Sequence, residues 1–305
     1  TQTVLGEGET GIEFNAEAIR GDVLLGSVTL GEAVTALSAD GSDYGCSALA
    51  VFNLPSALKS YSNGFFANFK GIKEVNVEAG GEIYLSDNGV LYTVITVDAD
   101  TAQYLGYEVG EKIALLEFYP FGKTGDYVIP EKIGSFDVAG IRADLSEVRI
   151  NTLTFNTAVI NSVISSQGAL SLAGSADSVN NMIVDGAILG TDKDTFAANL
   201  GYLVTLVTEG NFDSVIYLKG DVIAEFNDVV SENGWASKVF LYEEGALSVY
   251  DSEYELVYIV KDGYATVLYG NKGAENITVP SELGGYTVKA LASNAFKNYT
   301  NLKGI

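Results

Sequence analysis

An apolar pattern that returns every 23 or 24 residues restricts this chain more than any other feature of its sequence. Leu25-x-x-Val28-x-Leu30 is followed 24 residues on by Leu49-x-x-Phe52-x-Leu54, and 23 further by Ile72-x-x-Val75-x-Val77. Positions downstream keep step: Val34 and Leu37 match Leu58 and Tyr61, again 24 apart. The pattern returns in Tyr127-x-Ile129 and Leu145-x-x-Val148-x-Ile150, 21 apart, in Ile216-x-Leu218 and Val239-x-Leu241, 23 apart, and in Ile277-x-Val279. Helical periodicity is scarce. Short runs rich in Val, Ile, Leu, Tyr and Phe, bounded by Gly, Asn, Asp and Ser, recur instead, which is how strands read.

In a strand, alternate side chains share a face, so each unit has one apolar face that it cannot bury alone. Stacking successive units buries that face in a continuous core and pairs the strands in parallel. Apolar residues at fixed offsets in a repeat of this length are a leucine-rich-repeat signature. The expected fold is therefore mainly β, within the α/β solenoid class: a leucine-rich-repeat solenoid of roughly 21–24-residue repeats with short helices or turns on the convex side. The prolines agree. Of only four, three directly follow the strand pattern, in Leu54-Pro55, Ile129-Pro130 and Val279-Pro280. Without an N–H, proline ends a strand rather than sitting inside its ladder.

At these residues the chain resembles the BspA-like leucine-rich-repeat family of bacterial cell-surface and secreted proteins. The fullest copy runs Ile277-Thr-Val279-Pro280-Ser-Glu-Leu283-Gly-Gly-Tyr-Thr-Val288-Lys-Ala-Leu291, then Asn294-Ala295-Phe296, then Asn301-Leu302. A second is Leu54-Pro55-Ser56-Ala57-Leu58 with Gly64-Phe65-Phe66-Ala67. Asn88-Gly89-Val90-Leu91-Tyr92, Leu115-Leu116-Glu-Phe-Tyr119-Pro120-x-Gly122-Lys123 and Tyr127-Val128-Ile129-Pro130 resemble the hairpin that family members carry between repeats. The resemblance is specific at 47–133 and 262–305 and weak across 152–261. It implies a surface-located protein that adheres to host or neighbouring-cell components.

Composition narrows the chemistry. The chain has no histidine, which excludes a Ser-His-Asp triad, a Cys-His dyad and His-ligated zinc. Its one cysteine, Cys46, cannot form an intrachain disulfide or a cysteine-rich metal site, and reads as a buried small apolar residue. Seventeen basic against 40 acidic residues give a net charge of −23, which repels phosphate backbones, so nucleic acid is not an expected partner. No run of 18 apolar residues suggests a membrane span. The start at Thr1 without Met suits a chain whose targeting segment has been removed, and further repeats are expected after Ile305.

No catalytic, cofactor or metal residue is assigned. Asp40-Gly41-Ser42-Asp43, Asp98-Ala99-Asp100 and Asp192-Lys193-Asp194 lack the ligand spacing of a calcium loop and read as solvated turns. Asp192–Leu200 also reads as a short helix capped by Thr191 or Asp192, and Asp221–Asn233 has helical apolar spacing. On the strand face opposite the core the pattern places Ser27, Thr29, Val51, Asn53, Glu74, Asn76, Asp126, Val128, Glu147, Arg149, Val215, Tyr217, Phe240, Tyr242, Asn276 and Thr278. Tyr217, Phe240 and Tyr242 form its only aromatic cluster, open to two readings: contact with a partner, or packing across strands.

Three segments are expected: a repeat block over 1–185 with a β-hairpin inserted near 88–123, an irregular repeat-like or linker region over 186–261, and a further repeat block from 262 to 305. The function expected is a non-catalytic secreted or surface-attached module that binds a protein or glycan. A spacer that holds other domains away from the cell surface is the alternative.

Overall fold

The structure is a computed structural model that describes residues 2–5, 11–40, 44–145, 148–166, 179–209, 214–235, 238–242, 246–251, 253–271, 274–292, 295–296 and 299–305. It is mostly β and divides into two compact units. The first comprises Thr1–Thr124, Ile129–Arg149 and Ala158–Leu172. The second comprises Gly125–Val128, Ile150–Thr157 and Ala173–Ile305.

In the first unit seven strands come first: β1 (Gln2–Leu5), β2 (Ile12–Asn15), β3 (Ser27–Leu30), β4 (Val34–Ser38), β5 (Val51–Leu54), β6 (Ser60–Tyr61) and β7 (Glu74–Val77). They sort into two parallel sheets, β1-β3-β5-β7 and β2-β4-β6. The registers follow the sequence repeat. Val28 lies opposite Phe52 and Phe52 opposite Val75, while Leu37 lies opposite Tyr61. The ladder begins one strand earlier than the sequence pattern suggested, with Thr3 opposite Val28.

Period-two alternation fixes what each face of β3, β5 and β7 carries. Val28, Leu30, Phe52, Leu54 and Val75 are buried, whereas Ser27, Thr29, Val51, Asn53 and Asn76 are half-buried and Glu74 is exposed. The inner face meets an aromatic core. Phe52 sits among Phe14, Phe65, Phe66 and Phe69, with ring centroids 6.3, 5.7, 5.8 and 5.6 Å away. Cys46 is buried in the same core, its thiol donating to the Ile19 carbonyl at 3.0 Å.

The outer edge of β7 does not stay open. β8 (Tyr84–Asp87) and β9 (Val90–Thr96) form an antiparallel hairpin beside it, joined by Asn88 and Gly89. Both turn residues adopt left-handed φ, 49° and 75°, as the tight hairpin turn requires. The Val75 amide donates to the Gly89 carbonyl at 2.8 Å and the Val77 amide to Ser86 Oγ at 2.8 Å. A sheet edge that would otherwise template aggregation is thereby closed. β9 continues antiparallel to β10 (Lys112–Phe118). Between them lies α1 (Ala99–Leu105), capped by the Asp98 carboxylate, which accepts from the Thr101 amide at 2.7 Å. Asp98-Ala99-Asp100 is thus a helix start rather than a solvated turn.

After β11 (Thr124–Val128), the hairpin of β12 (Lys132–Ile133) and β13 (Phe136–Ile141) completes a five-stranded sheet of order β12-β13-β10-β9-β8. β13 runs parallel to β10 and antiparallel to β12.

The second unit holds a five-stranded sheet, β11-β14-β15-β16-β17, with β14 (Arg149–Thr154), β15 (Val179–Asp185), β16 (Val215–Lys219) and β17 (Val239–Leu241), in which β14 to β17 run parallel. Ile216 lies opposite Val239, 23 residues on, as the repeat requires. Helices link these strands: α2 (Thr157–Ser166, most of which groups with the first unit), α3 (Lys193–Glu209) and α4 (Phe226–Glu232). Parallel strands need such crossovers. The stretch expected to be irregular, 186–261, therefore includes α3, α4 and the ladder strands β16 and β17. Asp192 caps α3 through the Thr195 amide at 2.9 Å, and the helix runs nine residues past the expected end at Leu200. α4 is shorter than the expected 221–233. Phe196 of α3 meets Phe226 at the start of α4 edge-on at 6.4 Å.

The unit ends in a second five-stranded sheet, of β18 (Ser248–Asp251), β19 (Leu256–Lys261), β20 (Tyr264–Gly270), β21 (Glu282–Leu283) and β22 (Tyr286–Leu291). Its order, β18-β19-β20-β22-β21, is that of β8-β9-β10-β13-β12 strand for strand, and every pair keeps its direction. Ile133 pairs with Phe136 in one copy, and Leu283 with Tyr286 in the other. The same hairpin module therefore occurs twice.

Candidate functional site

The candidate sites in the described residues are the outward face of β3, β5 and β7, the aromatic trio of the second unit, and a cleft at one end of the second hairpin module.

The outward face is ordered by its own hydrogen bonds. Asn53 Nδ2 donates to Thr29 Oγ1 at 3.1 Å across one strand gap. Asn76 Nδ2 donates to Asn53 Oδ1 at 3.2 Å across the next, and to Glu74 at 3.3 Å. Parallel pairing places Thr29, Asn53 and Asn76 in one row, so each amide reaches the neighbour one repeat away. Where these strands end, a second row forms. Glu32 accepts from the Ser56 amide and hydroxyl, each at 3.1 Å. A hydrogen bond between the Glu32 and Glu78 carboxyls holds Glu32 below the usual carboxylate range and Glu78 above it. The sequence pattern located Thr29, Asn53 and Asn76 but missed Glu32, Ser56 and Glu78. Their signal was present: 32, 56 and 78 lie 24 and 22 apart, one turn past each strand.

The aromatic trio is arranged differently from its sequence-based placement on an open face. Tyr217 is 1% exposed. Phe240 and Tyr242 are half-buried and pack in the same cluster with Ile183, Val257 and Leu268. Tyr217 and Phe240 lie on paired positions, ring centroids 5.8 Å apart. Both faces of β16 are covered: Val215, Ile216, Tyr217 and Leu218 are all buried. The cover on the Tyr217 side comes from β18–β20, and a polar node joins the two sheets. The Ser248 amide donates to the Tyr217 hydroxyl at 3.0 Å, the Ser248 hydroxyl donates to Asn181 Oδ1, and Asn181 Nδ2 donates to the carbonyls of Asn151 and Ser248 at 3.0 Å each. Burial pushes the Tyr217 hydroxyl pKa up to about 12. Of the two readings, packing across strands is the one this geometry displays, and Tyr217 offers no surface to a partner.

The cleft is lined by Glu253, Tyr254, Glu255, Asn271, Ala274, Asn276, Ile277 and Thr278, and has a volume of about 440 Å³. It lies at the turn between β18 and β19.

The acidic turns carry structural duties. Asp98 and Asp192 cap helices, and Asp40 accepts from the Tyr44 hydroxyl at 2.8 Å and pairs with Arg20 at 3.3 Å. Residues 41–43 lie outside the described residues. Among the described residues no three His, Cys, Asp or Glu side chains converge as metal ligands would, and no helix is long and apolar enough to cross a membrane.

No family model and no curated protein matches the chain. Similar solved structures include the pneumococcal vaccine antigen PcpA, with 16% identity over 77% of this chain and 68% of that one, at a TM-score of 0.33. A leucine-rich cell-surface protein from Faecalibacterium prausnitzii A2-165 has 16% identity over 79% and 59%, at 0.35. A leucine-rich-repeat protein from Eubacterium ventriosum has 11% identity over 72% and 66%, at 0.26. The chain thus spans between 59% and 68% of the length of these proteins. The last two are described as leucine-rich. Superpositions this loose fix neither a ligand nor a partner.

Proposed function

We propose that this protein is a non-catalytic, secreted or surface-attached binding module built as a leucine-rich-repeat solenoid. It takes a protein or glycan partner on the outward face of β3, β5 and β7. The observation that carries the reading is the Thr29–Asn53–Asn76 row, in which half-buried amides are held in place one repeat apart with polar atoms at the surface. Such an array is ordered before a partner arrives, so little side-chain entropy is lost on contact. Repeat arrays suit extended partners because the same row continues from unit to unit. The resemblance of the repeat to the BspA-like family points to adhesion at a cell surface. The net charge of −23 favours a basic or neutral partner and disfavours nucleic acid.

The test is a screen of the purified protein against arrays of glycans and extracellular-matrix proteins at low and high salt, run beside Asn53→Lys and Asn76→Lys. The reading expects a saturable hit that both substitutions abolish while leaving the circular dichroism spectrum unchanged. A folded protein that binds nothing, or a hit that both variants retain, removes it.

A further inference from the structure

We propose that the cleft in the second hairpin module is a separate binding site for a neutral saccharide. The starting point is the difference between the two copies of the module. β8 and β9 are joined by two residues, Asn88 and Gly89, and that turn packs against β7. The equivalent strands β18 and β19 are joined by four residues, 252–255. The lengthened turn supplies Glu253, Tyr254 and Glu255, three of the eight residues that line the cleft. What one copy uses to close a sheet edge, the other uses to build a wall.

That wall is held in place. The Asp251 carboxylate accepts from the amides of Glu253 and Tyr254 at 3.0 Å each. Glu255 has a left-handed φ of 52°, and its carboxylate accepts from Asn271 Nδ2 at 2.9 Å. The 276–278 part of the lining is fixed by the backbone. The Ile277 amide donates to the Gly304 carbonyl at 3.1 Å, which anchors the flanking Asn276 and Thr278.

The lining selects the ligand class. It combines two carboxylates, two primary amides, a phenol and an alcohol, so it offers donors as well as acceptors. A lysine or arginine side chain would need acceptors only. A sugar hydroxyl donates and accepts at once, and planar carboxylate and amide groups meet adjacent hydroxyls two at a time. Tyr254 and Ala274 add apolar contact for the C–H face of a ring. Among the described residues no cationic side chain lines the cleft, and the net charge of −23 disfavours sulfated or phosphorylated sugars. The volume is within the range of small-molecule sites and displaces about fifteen waters at ~30 Å³ each, enough for one or two pyranose rings.

The test uses the full chain and a panel of neutral monosaccharides and disaccharides (galactose, mannose, N-acetylglucosamine, lactose), read by saturation-transfer NMR and titrated at low and high salt. At least one sugar should bind with little salt dependence. Glu253→Gln and Asn276→Ala should each weaken it by about tenfold, the loss of one good hydrogen bond, while Asn53→Lys leaves it unchanged. No binding by any sugar overturns the proposal, as do signals that persist in both cleft variants, or salt-sensitive binding of a lysine-rich peptide lost in those variants. Because Asn53→Lys lies on the strand face, loss of an array hit in that variant with sugar binding intact tests the two sites separately.

Discussion

Phe52→Ala should cost far more stability than Asn53→Ala, although the two residues are neighbours on one strand. Phe52 has no exposed surface, and the four rings around it are themselves 4% exposed or less. Truncating a buried Phe costs about 3–5 kcal/mol, more where the surroundings cannot collapse into the space. Four aromatic neighbours within 6.3 Å restrict collapse, and each lost edge-to-face contact adds roughly 0.5–1.5 kcal/mol beyond the area term. The upper end, about 4–5 kcal/mol, is expected. Asn53 faces outward, and losing its two side-chain hydrogen bonds should cost about 1 kcal/mol. Urea unfolding followed by circular dichroism gives both values, provided the slope m is unchanged between variants. In thermal melts Phe52→Ala should lower Tm by roughly 10–15 °C at ~2–4 °C per kcal/mol. Equal losses for the two substitutions, or a loss below about 1 kcal/mol for Phe52→Ala, would refute the assignment of faces.

Three other expectations follow from single contacts. Gly284 has φ +57°, and a Cβ there would lie 2.2 Å from the Tyr258 hydroxyl, so Gly284→Ala should destabilise by about 1–3 kcal/mol in urea unfolding, whereas Gly285→Ala, with open space around it, should cost less. Because Glu78 titrates above and Glu32 below the usual carboxylate range, the pair is most favourable where one of the two is protonated, and its contribution declines as pH rises through the Glu78 pKa. Glu78→Gln should therefore gain in Tm on the natural protein as pH rises from mildly acidic to neutral, and parallel Tm curves would contradict the coupling of the two carboxyls. Tyr217 stays protonated in the fold up to about pH 12 against 10.0 for an ordinary phenol, so its burial makes stability fall as pH rises between those values. Tyr217→Phe should lose about 1–3 kcal/mol at neutral pH, by leaving the Ser248 amide unpaired, and should flatten that alkaline decline.

Much of the first unit was legible because its strands have one covered face. Val28, Phe52 and Val75 alternate with polar residues, so both spacing and facing could be read from the chain. The same rule misplaced Tyr217. Val215-Ile216-Tyr217-Leu218 is a continuous apolar run, the mark of a parallel strand covered on both faces. Its second cover, β18–β20, begins some thirty residues later and gives no local sign. α2 was missed because Thr157-Ala-Val-Ile-Asn-Ser-Val-Ile is rich in β-branched residues. The helix forms because Val159, Ile160 and Val163 share one buried side, and tertiary burial outweighs a propensity difference of under ~1 kcal/mol per residue. The duplicated module escaped for another reason. Its copies share few anchors, Ile133-Gly134-x-Phe136 and Leu283-Gly284-x-Tyr286 among them, and the likeness lies mainly in how the strands pair.

Both the ladder and the proposed binding row depend on Thr29, Asn53 and Asn76 standing side by side on one face, and paired cysteines measure that directly. With Cys46→Ala removing the native thiol, Thr29→Cys with Asn53→Cys, and Asn53→Cys with Asn76→Cys, place thiols on adjacent parallel strands. Their Cα atoms should lie about 4.8 Å apart, inside the roughly 4.4–6.8 Å span of a disulfide. Thr29→Cys with Asn76→Cys spans two strand gaps, about 9.6 Å. Mild oxidation followed by mass spectrometry should find disulfides in the first two proteins and free thiols in the third. Free thiols in the first two, or a disulfide between positions 29 and 76, would contradict the register on which the account stands.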